Sequence, residues 1–542
     1  MAESLIKEKR EFWNEVKRTN RSSKTIPSNI DGIRDAEGIT KLFKQKFGTL
    51  YSSVPSSEHD LNSLADRIAK AIPPRITANT TFSVTDIERA ILKLKKGKAD
   101  GHTKLQSDCL KHAPKRLHVW ICALMNSMLV HGFSPYKLLI GTMTPIPKSR
   151  NCTLSSDKYR AITLISCLIK LFDYIVLDRQ KNIFKTDALQ FGFKDKCSTT
   201  LCSVMMTEIC RIFNSQGSKV FSVLLDATKA FDRLEFSTLF NILLDRGMNP
   251  FYVRCLWYMY LNQELCIQWN GILSDHFPAC NGVKQGGVMS PLLFGIYLDS
   301  LIENLRKSGY GCFIGPHFVG CLAYADDIVI LSPTKQGLKN MLVVCEKFSQ
   351  DYKLTFNGTK SQFIVFEAKA EVHSTNMNVF GVHLPNAGYV EHLGHKIYAD
   401  PKRDDLEGVI SAFYRQFNNF RSKFGHVASV AQAELFQSYC SSFYGSILLP
   451  FRKMDKLNVV WRKSLRQVWR LPWRCHNRIV ACLAGKLCCQ HMLISRFINF
   501  AAVALHHPED VVKAVLKRSL TMTISTVGRN LIDCCRTLGI TS

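Results

Sequence analysis

The sequence predicts an α+β protein, and three observations predict it. Between about residues 139 and 400, apolar runs of strand length are interleaved with apolar patterns of helical period. On either side of that region the patterning is mostly helical. The hydrophobic fraction is 46% over 542 residues, enough for two or three packed domains rather than a disordered chain. The expected division is a helical N-terminal extension over 1–134, a mixed region over 135–398 and a helical, basic C-terminal region over 399–542.

The elements follow in order. Residues 1–60 read as helices and polar connectors. "AEGITKLFKQKFGTLYSS" places Ile39, Leu42, Phe43 and Phe47 at helical spacing. A helix over 83–96 starts at Ser83, with Asp86 three residues on as a capping-box-like pair. Ile87, Ile91, Leu92 and Leu94 form its apolar side, and "KKGKADGH" breaks it. Helical patterning returns over 116–132. Short strands begin at "LIGTMTPIPK" (139–148). Beyond residue 400 helices run to about 518. The chain shows no internal repeat.

Lys and Arg number 71 and Asp and Glu 44, a formal charge of +27. A globular chain that basic is expected to meet a polyanion, nucleic acid first. Over 451–542 there are 16 Lys and Arg against 4 Asp and Glu. There "WRKSLRQVWRLPWR" sets Arg462, Arg466 and Arg470 at i, i+4 and i+8. They are expected to form one stripe of a helix beside the apolar stripe Trp461, Leu465 and Val468. Guanidinium groups in register, with no acid to neutralise them, suit phosphate contact.

No run of roughly 18 apolar residues occurs, so no membrane span is expected. The first residues, "MAESLIKEKREFWNEVKR", lack the apolar core of a signal peptide. The 20 cysteines are therefore read as reduced thiols of a nuclear or cytoplasmic protein, mostly acting as small buried hydrophobes. Cys475, His476, Cys482, Cys488, Cys489 and His491 crowd together. Their spacing fits none of the paired zinc patterns, and a zinc site is left open.

The chemistry is concentrated in two acidic sites. "KVFSVLLDATKAFDRLEF" reads as a buried strand over 220–225 that delivers Asp226 at its end. "CLAYADDIVIL" reads as two short apolar strands with Asp326 and Asp327 at or near the turn between them. Carboxylates inside apolar sequence are costly unless a cation meets them. If the strands are neighbours, Asp226 and Asp326 converge. Converging carboxylates without histidine or thiolate suit Mg²⁺, and two Mg²⁺ ions can serve an in-line phosphoryl displacement.

These segments resemble known blocks. "LLDATKAFDRL", "NGVKQGGVMSPLLFGIYLDSL" and "AYADDIVIL" are similar, in that order, to motifs A, B and C of reverse transcriptases. "TPIPK", "YRAITLIS", "FGFKDKCSTT", "KLTFNGTKSQFIVF" and "YVEHLGHKI" resemble further blocks of the non-LTR (LINE-type) retrotransposon group. The likeness covers roughly residues 10–480. It implies a right-hand polymerase: fingers and palm over about 135–395, then a helical thumb. It implies RNA-directed DNA synthesis with template RNA, a DNA primer or target end and dNTPs as partners. Asp226, Asp326 and Asp327 would hold two Mg²⁺. Lys148 and Arg160 match positions that grip the incoming triphosphate. Gln285 and Gly286 match a loop touching the nascent base pair, and Phe231 matches the position beneath the sugar's 2′ carbon. Lys360 matches a lysine assigned as proton donor to pyrophosphate. "YVEHLGHKI" matches the hairpin that grips the primer.

Departures from the family pattern are His102, Thr103 and Lys104 after the Asp100–Gly101 pair, Ala161 in "YRAI", and Cys197 where a basic residue is common. None removes an expected metal ligand. A catalytically decayed nucleic-acid-binding relic is therefore the alternative reading. An RNA-dependent RNA polymerase is disfavoured by "YADD" with Phe231, and an intron maturase by the C-terminal "WRKSLRQVWRLPWRCH". The stretch ahead of the strand-rich region is too short for an endonuclease, so a truncated reading frame without DNA-nicking activity is expected.

Overall fold

The computed structural model describes residues 12–14, 16, 27–149, 154–367, 376–483, 489–522 and 524–540. Most of 1–26, read above as helix and polar connector, lies outside them, as does Cys488.

Two sheets carry the mixed region. In the first, Tyr159–Leu164 pairs antiparallel with Ile140–Pro147, which runs parallel to Glu264–Trp269; the short strands Ile272–Leu273 and Phe277–Pro278 complete it. The helix Ala36–Tyr51 lies on this sheet. Its Ile39, Phe43 and Phe47 are buried against Met143, Tyr159, Leu265 and Trp269, the face that their spacing predicts.

The second sheet has the order Gln362–Phe366, Val220–Asp226, Asp327–Ser332, Cys321–Tyr324, all neighbours antiparallel. Its strands are near-continuous apolar runs because the helices Thr199–Ser215 and Lys335–Asp351 pack on it. Val223, Leu225, Ile328, Val329 and Ile330 are fully enclosed. The apolar strands drive the sheet into the interior, and the acids ride out to its edge.

The helix expected over 83–96 spans Val84–Lys93 and carries the capping box: Asp86 N–H donates to Ser83 Oγ, and Ser83 N–H to Asp86 Oδ2. Leu92 departs from expectation. It is 77% exposed, because the helix face against the core is set by Ile87, Ala90 and Ile91. The helix expected over 116–132 runs Lys115–His131 and stops at Gly132, whose positive φ turns the chain so that the next N–H, of Phe133, also reaches back to the Met128 carbonyl.

Beyond residue 400 helices follow one another to Leu538, further than the 518 expected. Phe413, Phe417 and Phe420 of Leu406–Phe424 pack one aromatic ridge against Phe436, and Phe424 continues it against Tyr439. Trp461, Leu465 and Val468 are buried as predicted. The arginine stripe needs correction. The helix Met454–Val468 ends two residues before Arg470, which adopts a left-handed backbone with φ 52°. Arg462 and Arg466 share the helix; Arg470 belongs to the loop after it. The left-handed Arg470 closes the helix end, letting Leu471 N–H donate back to the Arg466 carbonyl.

Twelve of the eighteen described cysteines are buried, in line with their reading as small hydrophobes. Among the described residues no helix is long and apolar enough to cross a membrane.

Candidate active site

Asp226 is the last residue of its strand and stands directly opposite Asp327, the first residue of the neighbouring strand. Cross-strand partners point to the same face, so the two carboxylates leave the sheet side by side. Asp326 sits in the two-residue turn between Tyr324 and Asp327. The strands are neighbours, as the expected convergence requires, but the register sets Asp327 rather than Asp326 opposite Asp226, and Asp326 lies in the turn beside the pair.

That turn is held from a distance. Ala325 has φ 56°, a left-handed conformation that costs a non-glycine residue about 1 kcal/mol or more. Gln190 Oε1 accepts from Ala325 N–H at 3.0 Å and from Gly192 N–H at 2.8 Å. Leu189 and Phe191 bond to both backbone groups of Ala323. Gly192 must be glycine: a Cβ there would come within 2.4 Å of the Ala325 nitrogen. The segment "LQFG" is thus a clamp on the acid turn. Gln190 is absent from the sequence-based set of site residues, and nothing local marks it.

The acids repel each other and rest on a packed sheet. Burial first, then Asp326 and Asp226, push the Asp327 carboxyl up to about 6. Burial likewise raises Asp326, with Asp226 adding to it and Arg160 opposing. Lys360 Nζ lies 3.6 Å from Asp226 Oδ2. Asn357 builds the turn that carries Lys360, its side-chain oxygen accepting from the N–H groups of Thr359 and Lys360, while its own N–H bonds to the Asp226 carbonyl.

A cationic group stands near. The Lys148 ammonium is pushed below its ordinary pKa by desolvation and by the charges of Arg160, Lys360, Lys229 and Lys158. Cations that crowd one another at a cost to their own protonation form a place for a polyanion. Sequence reading named three of these five; Lys158 and Lys229 were missed.

Gln285 and Phe231 lie on the segments that connect these parts. The Gln285 carbonyl accepts from Thr163 N–H at 2.7 Å, tying the loop to the first sheet. Its side-chain amide donates to both oxygens of buried Asp232, 2.9 Å each, and the Tyr51 hydroxyl donates to the same carboxylate at 2.8 Å. Gly286 has φ 122°, and a Cβ there would come 2.5 Å from the Thr163 carbonyl oxygen. Phe231 is half-buried, stacked on Phe294 at 4.5 Å and met edge-on by Phe193.

The hairpin Tyr389–His392 and His395–Tyr398 completes the cleft: Glu391, His392 and Leu393 line it together with Asp226, Asp327 and Lys360. Among the described residues no three acidic, histidine or cysteine side chains are already drawn around one point as metal ligands, here or in the C-terminal Cys/His region. Arg466 is engaged in structure, donating to the Cys475 carbonyl and Asn477. Cys197 is half-buried with its sulfur 3.5 Å from His507 Nε2.

Residues 146–396 match the family model described as reverse transcriptase (RNA-dependent DNA polymerase). The chain is similar to a Pol polyprotein from the retrotransposable element R2DM of Drosophila melanogaster, 27% identical over 44% of this chain and 22% of that one. It is 23% identical to the R2 Pol polyprotein of Nasonia vitripennis over 65% of this chain and 35% of that protein. It is 22% identical to the RNA-directed DNA polymerase from mobile element jockey of Drosophila melanogaster, over 74% and 45%. The chain spans less than half the length of these relatives. Residues 146–396 thus carry a domain of the reverse transcriptase class. These relatives are polymerase proteins of the retrotransposable element R2 and the mobile element jockey, and the similarity to them extends beyond the matched domain.

Proposed function

We propose that this chain is an RNA-directed DNA polymerase that adds dNTPs to a primer 3′-OH on an RNA template. The observation that carries the reading is the pairing of Asp226 with Asp327 at a sheet edge, below a turn bearing Asp326 and beside a cluster of five cations. The first sheet acts as fingers, the second as palm and the helices beyond residue 400 as thumb.

The family generally works with divalent metal ions. The donor set fits Mg²⁺: all oxygen, all carboxylate, with mutual repulsion that a cation relieves. Asp226, Asp326 and Asp327 would hold two such ions, whose charge supports the attacking and leaving oxygens of an in-line displacement. Lys148 and Arg160 receive the triphosphate and steady the charge that builds on it. Lys360 leaves its contact with Asp226 and donates a proton toward pyrophosphate. Gly286 lets the backbone approach the nascent pair. Phe231 lies under the sugar, and the hairpin at 389–398 holds the primer.

Primer extension on a poly(A) template with an annealed oligo(dT) primer and labelled dTTP tests the reading. Mg²⁺-dependent product is expected from the chain and none from Asp326→Ala. A pure, folded chain that binds the primer–template but makes no product is the decayed relic, and the proposal fails.

A further inference from the structure

The loop after the helix Met454–Val468 contributes no residue to the lining of the cleft at Asp226, Asp327 and Lys360. It is built to hold one side chain in solvent. Cys475 N–H donates to the Pro472 carbonyl at 3.0 Å, closing a four-residue turn with Trp473 and Arg474 at its two corners. The base of the turn is pinned from the helix: Leu471 N–H donates to the Arg466 carbonyl, and the Arg466 guanidinium donates to the Cys475 carbonyl and to Asn477 Oδ1. Trp473 at the tip is 79% exposed, the most exposed large apolar side chain among the described residues. The Arg474 guanidinium lies over its ring, 4.9 Å from the centroid.

The surroundings are cationic. No Asp or Glu occurs from residue 456 to 486, while Arg462, Lys463, Arg470 and Arg478 flank the turn in sequence. Arg421, from the helix Leu406–Phe424, reaches the same helix end and donates to Gln467. A single exposed hydrophobic residue is ordinary. An indole fixed at a turn tip, with a guanidinium on one face and only cations in the adjacent sequence, is a different object. Nucleobases stack on such rings whatever their identity, and the cations meet the phosphates that follow.

We infer that Trp473 and Arg474, with Arg470 and Arg478 beside them, form a stacking site for single-stranded nucleic acid, apart from the residues that line the polymerase cleft. A base packs on the open face of the indole and its flanking phosphates run along the arginines. That the strand is RNA rests on the function proposed above; the stacking site does not. An acidic protein segment is the competing occupant, and stacking separates the two.

The test is the affinity of the full chain, without dNTP or Mg²⁺, for an unstructured oligonucleotide of about 12 nucleotides, in RNA and DNA forms, read by anisotropy. Trp473→Ala is expected to weaken binding roughly tenfold or more, the scale of one lost stacked base, and Trp473→Phe to keep most of it. Arg470→Gln with Arg478→Gln should flatten the slope of log K against log salt by about 0.7 per lost phosphate contact. Loss in both nucleic-acid arms supports the site as stated, and loss in the RNA arm alone assigns it to RNA. Equal binding by wild type, Trp473→Ala and Trp473→Phe, all with unchanged thermal midpoints, overturns it. Repeating the series on an Asp326→Ala background separates this outcome from failure of the polymerase reading, since binding there needs no catalysis.

Discussion

Asp226 and Asp327 are direct partners across two antiparallel strands, and Lys360 stands 3.6 Å from the first of them. Two like charges in register on a sheet are destabilising by themselves. Asp327 shows the strain in its carboxyl, lifted to about 6 by burial and its acidic neighbours. Under the proposed function, a divalent cation would relieve this repulsion. Lys360 partly answers the charge of Asp226.

The first prediction follows. Mg²⁺ should stabilise the wild-type chain by mass action, raising the midpoint of thermal unfolding as its concentration rises. Asp327→Asn should remove most of that rise, while its own midpoint without Mg²⁺ stays level or increases because a repulsion is gone. Asp226→Ala should abolish primer extension with RNA binding largely intact. A Mg²⁺-induced shift that survives Asp327→Asn would place the ion elsewhere.

Tyr51 offers a second. It comes from the helix Ala36–Tyr51, far from the acids in sequence, yet its hydroxyl meets the same carboxylate that orients Gln285. Burial raises the Asp232 carboxyl, and the Tyr51 and Gln285 hydrogen bonds counter it. Tyr51→Phe leaves a buried acceptor short of a donor, at a cost of about 1–3 kcal/mol in denaturant unfolding. It should also raise KM for dNTP more than it lowers kcat, since Gln285 is loosened and no acid is lost. Unchanged KM with lowered stability would make the network structural only.

The strands and their acids were legible because apolar runs of strand length ended in carboxylates. Short-range signals such as the Ser83–Asp86 box were legible for the same reason: each is encoded within a few residues. What sequence missed is tertiary. Pairing Asp226 with Asp327, and not with Asp326, depends on a left-handed Ala325, a residue with no turn preference of its own. Gln190 fixes it from 135 residues away. Arg470 matched the helical period, but period alone does not say where a helix stops. Leu92 was assigned inward on hydrophobicity, and the neighbouring packing turned it out.

The third prediction concerns pH. His392 and His395 of the hairpin at 389–398 are buried, and each has an Nε2 with no hydrogen-bond partner. Burial pushes His392 down to about 3, with His395 adding to it, and His395 down to about 4. The unfolded chain takes up these protons near pH 6.5, while the folded chain does not. Stability is thus fully present above about pH 6.5 and lost as pH falls toward 4. Between pH 7 and 5 each histidine should cost about 2 kcal/mol. Denaturant unfolding at pH 7, 6 and 5 reads this directly. His392→Leu should shrink the acid loss by about that amount, and an unaltered pH slope would mean the imidazole is not held neutral.

The last prediction concerns the choice of sugar at Phe231. A polymerase making DNA must refuse ribonucleotides, which differ from its substrates by one hydroxyl that base pairing does not sense. A ring that cannot move can refuse that hydroxyl by overlap, a repulsive form of specificity. Phe231 is braced for this, stacked on Phe294 at 4.5 Å and held edge-on by Phe193. It carries no hydroxyl that would itself need a partner. Phe231→Val should open space above Phe294 and raise ribonucleotide incorporation relative to dNTP by about 10²-fold, or about 2.7 kcal/mol of lost discrimination. The dNTP rate should fall less, because the acids and cations are untouched. The measurement is kcat/KM for a matched dNTP and rNTP pair in wild type and variant. Phe231→Tyr keeps the ring and the stack and should keep the discrimination. If the ratio is the same in wild type and Phe231→Val, Phe231 is a packing residue for Phe294, and the refusal of ribonucleotides has to come from another side chain.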